Sequence, residues 1–154
     1  MKSLLFGHDD SYVGLIARLS LGIVMFPHGA QKMLGWFGGY GFFGTMEFFT
    51  ETMGLPWIIA LLVILIEFAG SIALMVGIGS RLASAGIALV MVGAISTVHW
   101  SYGFFMNWSG QLEAGQEGFE YHLLVIGLML ILLMTGSGRW SVDSLILSSA
   151  DSEK

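Results

Sequence analysis

From Ile58 to Ile66 the chain carries no polar side chain at all. A helix lying on a soluble protein needs polar residues every three or four positions on its wet face, so this run cannot form one. It sits inside a longer apolar segment, about 56–78, and three comparable segments lie at about 11–33, 82–101 and 119–136. Each is close to the roughly 20 residues needed to cross roughly 30 Å of hydrocarbon as a helix. The pattern predicts an all-α, polytopic membrane protein with a bundle of four transmembrane helices. Only 11% of the 154 residues are charged, against about 25% in soluble domains. No Pro/Ser linker or charge run separates the segments, so residues 1–154 read as a single transmembrane domain.

The first apolar stretch is not a cleaved signal peptide on this reading. Arg18 interrupts it, and Pro27, His28, Gln31 and Lys32 stand where small residues should precede a cleavage site. Alternating helices place Lys2, Arg81, Arg139 and Lys154 on one side of the membrane, whereas the opposite loops, 34–55 and 102–118, hold no Lys or Arg. Basic residues are retained on the cytoplasmic side, so both termini are expected in the cytoplasm of a cell (inner) membrane. Lys32, at the outer end of the first helix, is the exception, and its long stem lets it reach the interface. The outer loops are dense in rings: Trp36, Phe37, Tyr40, Phe42, Phe43, Phe48 and Phe49 in the first, Tyr102, Phe104, Phe105 and Trp108 in the second. Rings of this kind settle at headgroup level, and a short interfacial helix is expected near Gly44 to Met53, either as a plain anchor or as a lid over an outer site.

Several function classes fall away on composition. A net charge of -5 with six scattered Lys and Arg residues leaves no basic patch for phosphates, so nucleic acid is not a partner. The lack of cysteine excludes dithiol relays, thiolate-held clusters and thioether haem attachment.

Ionisable groups inside hydrocarbon cost at least about 2.5 kcal/mol each, so each needs a partner or a purpose. Counted along their helices, Arg18 lies roughly 10 Å in from the cytoplasmic end of the first and Glu67 about 17 Å in from the outer end of the second. An Arg18/Glu67 ion pair is therefore expected, either as a structural register lock or as a headgroup or proton site. A second group gathers at the outer end: His28 and Lys32 on the first helix, His99 at the end of the third, Glu120 and His122 at the start of the fourth. His28 and Lys32 are spaced i, i+4 and share a face. Each histidine alone reads as an ordinary hydrogen-bonded interface residue. Together they form a constellation suited to a metal, a haem or a quinone headgroup, with His28, His99 and His122 as metal-ligand candidates. Ala83, Ser84, Ala85, Gly86, Gly93, Ala94 and Ser96 give the third helix a small-residue face for close packing, within the bundle or against a second copy in a homo-oligomer.

Along nearly its whole length, from Arg18 to Asp143, the sequence resembles the DoxX family of small bacterial and archaeal membrane proteins. The matching pieces are Arg18, His28-Gly-Ala-Gln-Lys32-Met-Leu-Gly35, Gly54-Leu-Pro56, Glu67-Phe-Ala-Gly70, Leu74, Gly77, Arg81, Glu120-Tyr121 and Gly136-Ser-Gly138-Arg-Trp-Ser-Val-Asp143, in that order. The resemblance implies a four-helix membrane bundle. It further implies kinship with proteins of which some serve quinone-dependent oxidation of sulfur compounds and others membrane complexes handling oxidative or thiol stress. A direct disulfide role does not carry over, for want of cysteine. Arg18, His28, Lys32, Glu67 and Glu120 are the positions onto which the family's polar pattern maps. The leading expectation is a quinone-linked redox complex subunit in the lipid bilayer, binding a headgroup or moving protons and taking electrons from a partner redox protein. A carrier or binder of a small solute or metal ion, and a non-catalytic anchor or assembly subunit, are the alternatives.

Overall fold

A computed structural model describes residues 11–113 and 115–151. Every regular element among them is helical. Helix α1 (Tyr12–Leu34) runs through Pro27 and stops at Gly35, whose φ of 74° is the left-handed turn that glycine closes most readily. Its 23 residues extend about 34 Å. A short helix α2 (Gly41–Glu47) follows and widens into a π-helical turn over Phe48–Thr52, in the first aromatic loop where an interfacial helix is expected. Pro56 then leads into α3 (Trp57–Val76), since proline's missing N–H costs nothing at a helix start. Gly77 closes α3 with its N–H on the Ala73 carbonyl. Helix α4 (Ser80–Thr97) is shorter than the expected 82–101, its last turn tightening into a 3-10 turn over His99–Tyr102. Helix α5 (Glu120–Thr135) has 16 residues, about 24 Å. A further helix, α6 (Val142–Asp151), was not anticipated; the Ser141 hydroxyl accepts the Ser144 N–H and caps it.

Helices α1, α3, α4 and α5 form a closed ring, α1 packing most extensively on α3. Three of them are long and apolar enough to cross a membrane, and α5 is a shorter apolar helix. Leu21, Met25, Leu74, Ile87, Met91, Met129 and Leu132 meet in the centre, while Met46 of α2 packs onto Ala60 and Ile64 of α3. Outward-facing Ile16, Ile23, Leu89, Leu124 and Met134 are exposed, which suits a surface solvated by lipid. Exposed rings gather at both ends, Trp36, Tyr40, Phe43, Phe105 and Trp108 at one and Tyr12 and Trp140 at the other, as membrane interfaces demand.

The register of α1 on α3 is set by a glycine. A Cβ added to Gly29 would stand 2.6 Å from the Phe68 Cα and 2.7 Å from its nitrogen, so the two backbones touch where a side chain would hold them apart. This contact puts Glu67 level with the last turns of α1. It leaves Arg18, eleven residues earlier, about 16 Å away along the axis.

Candidate functional site

The expected Arg18/Glu67 pair does not form. Arg18 is 2% exposed, and all of its guanidinium nitrogens donate to main-chain carbonyls. Nε reaches Ser137 at 2.9 Å, Nη1 reaches Leu74 and Met75 at 3.2 and 2.6 Å, and Nη2 reaches Arg139 and Trp140 at 3.2 and 2.6 Å. Leu74 and Met75 lie in the last turn of α3, where carbonyls have no helical donor ahead of them and the helix dipole is negative. Ser137 links this knot to Asp143, its hydroxyl donating to Oδ2 at 2.5 Å. Asp143 in turn accepts the N–H groups of Gly79 and Ser80 at 2.8 and 3.3 Å, at the start of α4. Arg18 and Asp143 thus tie α1, the α3–α4 turn and the α5–α6 turn together at the end of the bundle where the chain begins. The ends of α1 and α3 are not level, as the expected pair requires; the Gly29 contact sets their offset.

Glu67 pairs with Lys32 instead, Nζ to Oε2 at 2.6 Å, with side chains 5% and 26% exposed respectively. Around this pair the opposite end of the bundle gathers His28, Tyr121, His122 and His99. His28 lies within electrostatic reach of Lys32 and Glu67, and His122 within reach of both other histidines. The His28 and Tyr121 ring centroids are 5.9 Å apart, and the Tyr121 hydroxyl meets the Met25 sulfur at 3.4 Å. The His99 and His122 rings sit 4.2 Å apart. His99 Nδ1 is 2.6 Å from the Glu117 carbonyl; a carbonyl only accepts, so Nδ1 carries a hydrogen and donates it. His122 is 6% exposed and its Nδ1 has no hydrogen-bond partner. A buried polar atom in that state costs free energy until something bonds to it.

Five of the expected residues therefore converge from α1, α3, α5 and the turn after α4: His28, Lys32, Glu67, His99 and His122. Two do not. Arg18 belongs to the knot at the other end, and Glu120 turns outward, accepting the Trp108 indole N–H at 2.6 Å. Among the described residues no group of three or more His, Asp or Glu side chains is arranged to hold a metal ion. Tyr121 was missed, although its neighbours signal it: the buried His122, Val125, Met129 and Leu132 recur at helical spacing, and Tyr121 flanks that stripe. Asp143 was missed as well, lying beyond the last expected span in a short segment where Val142, Leu145 and Ile146 mark only one amphipathic turn.

A model of the DoxX family matches residues 13–100, from the start of α1 through the turn after α4. The chain belongs to the DoxX family. Two curated proteins align with it well beyond the family match. One is "Putative oxidoreductase CatD" of Bacillus subtilis (strain 168), 31% identical over 132 residues that cover 86% of this chain and 85% of that protein. The other is "Inner membrane protein YqjF" of Escherichia coli (strain K12), 30% identical over 135 residues covering 86% and 90%. No solved structure matches. Within this DoxX protein the matched segment supplies His28, Lys32, Glu67 and His99, and α5 completes the cluster with Tyr121 and His122.

Proposed function

We propose that this DoxX protein is a quinone-linked subunit of a membrane redox complex, with the headgroup held in the His28, Lys32, Glu67, Tyr121 and His122 cluster and electrons arriving from a partner redox protein. The observation that carries the reading is the partnerless Nδ1 of buried His122, set among ionisable groups in an otherwise apolar bundle. The donor set fits a neutral ring with two oxygens: imidazole and phenol hydrogens to bond them, and the Tyr121 ring to lie beside the headgroup. A bound quinone supplies two-electron, two-proton chemistry. His28 and His122 each present ring nitrogens that can donate or accept a hydrogen bond or a proton. The Lys32–Glu67 pair keeps both charges compensated so that neither is stranded in hydrocarbon. The name of the Bacillus relative, an oxidoreductase, agrees with this class of chemistry. Placing both termini in the cytoplasm is part of the same reading and sets the cluster toward the outer face.

A metal-ion role draws on the same histidines, but the described residues offer no three-ligand group, which is why the organic headgroup is preferred. The test is a titration of the purified protein with a tail-less benzoquinone, beside His122→Ala. The expected result is saturable binding that weakens about tenfold or more in the variant, the worth of one lost hydrogen bond to a buried group. Absence of binding, or equal binding to both proteins, refutes the proposal.

A further inference from the structure

The polar cluster has a neighbour on the lipid side. Between α5 and the loop that precedes it lies a groove of about 650 Å³, lined by Phe104, Met106, Trp108, Tyr121, Leu123 and Leu124, with Glu120 at its rim. The loop that walls it is held in place: Gly118 and Phe119 N–H groups bond to the Phe105 and Gly103 carbonyls, and the Glu120 N–H to that of Phe104, at 2.9 to 3.1 Å. Trp108 is anchored across the groove by Glu120. Two features say what such a groove accepts. Its polar rim is the first residue of α5 and its floor runs down to Leu124, about 6 Å further into the membrane, so polarity falls along the bilayer normal as it does along a head-and-tail amphiphile. Tyr121 belongs to both places, lining the groove and ring-packing on His28 of the cluster.

We infer that this groove seats the isoprenoid tail of the quinone whose headgroup occupies the His28–His122 cluster, and that Tyr121 marks the passage between them. The inference rests on the reading given above and adds to it the route of entry, sideways from the lipid rather than from water. Leaving the bilayer gains the tail nothing hydrophobically, because lipid chains are as apolar as Leu124; what the groove contributes is packing against aromatic and sulfur-bearing walls and orientation of the head.

The experiment compares one quinone ring with and without a short isoprenoid tail, titrated into the full chain in detergent. The proteins are wild type, Leu124→Trp, which narrows the groove at its deep end, and Leu89→Trp as a control. Leu124 and Leu89 are 65% and 73% exposed, so neither change disturbs the core. Micelle partition raises the tailed compound's apparent affinity for every protein alike, and the readout is therefore the tailed-to-tail-less affinity ratio in each. We expect Leu124→Trp to lower that ratio about tenfold and Leu89→Trp to leave it at the wild-type value. An unchanged ratio in Leu124→Trp, with the tail-less ring still bound by wild type, overturns the groove assignment and leaves the headgroup site standing. A phospholipid that co-purifies with wild type and is lost in Leu124→Trp, with the ratio unchanged, assigns the groove to an acyl chain and also overturns it. Failure of wild type to bind either compound removes the headgroup site, and the groove assignment with it.

Discussion

Replacing Arg18 by methionine tests the reading of the knot directly. Methionine keeps a flexible side chain of similar reach and removes the five N–H donors of the guanidinium. Five carbonyls lose their partner, two of them bonded at 2.6 Å. Hydrogen bonds from a charged donor contribute about 1.5–3 kcal/mol each. Simple addition overshoots, because the five share one group and the carbonyls near the interface regain water. Each buried acceptor left unsatisfied costs about 1–3 kcal/mol, and with water and the shared group allowed for we take about 3–5 kcal/mol in total as the expected loss. For a chain of this length it corresponds to a fall of about 6–20 °C in the unfolding midpoint. The assay is thermal unfolding in detergent, followed by far-ultraviolet circular dichroism. Arg18→Lys, with three donors on a point charge, should fall between the two. Because Ser137 bridges Arg18 and Asp143, Arg18→Met and Asp143→Ala should be non-additive by about 1 kcal/mol or more in a double-mutant cycle. A midpoint for Arg18→Met within about 3 °C of wild type, or strict additivity with Asp143→Ala, would show that the carbonyl cage is not what holds this end of the bundle together.

Two further substitutions probe the other end. Gly29→Leu forces side-chain atoms into the Phe68 backbone, which cannot rotate away, and should cost about 1–3 kcal/mol or more while also parting Lys32 from Glu67; wild-type stability in denaturant titration would contradict the close α1–α3 contact. Lys32→Met leaves the Glu67 carboxylate, 5% exposed, without its cation and should destabilise by about 3 kcal/mol, whereas the Lys32→Met, Glu67→Gln double variant should recover most of that loss; a double variant as unstable as the single one argues against the pair.

The helices were legible in the sequence for a simple reason. A backbone inside hydrocarbon must satisfy its own hydrogen bonds, so an apolar run long enough to cross is a helix whatever its neighbours do. The interfacial α2 was legible from its rings. Helix α6 was not, since Val142 to Asp151 mixes serines with apolar residues in no long run, and its start depends on the Ser141 cap. The membership of the cluster around Lys32 and Glu67 was largely visible as well: His28, His99 and His122 sit at helix ends that alternate topology brings to the same side. Glu120 looked equivalent to them, yet it leads α5 from the rim and bonds Trp108 of the loop, a contact set by how the loop folds back.

What the sequence determined alone was the class of solvent and the number of apolar helices, because both follow from composition read over windows of about 20 residues. Which charge meets which was decided by tertiary structure. Arg18 and Glu67 both look able to pair in a drawing of two antiparallel helices with level ends, but the offset between α1 and α3 leaves them about 16 Å apart along the axis. That offset is set by where two backbones can touch, at Gly29 against Glu67 and Phe68. It is also set by where the turns after α3 and α5 present free carbonyls to a guanidinium, and neither fact is a property of a single helix.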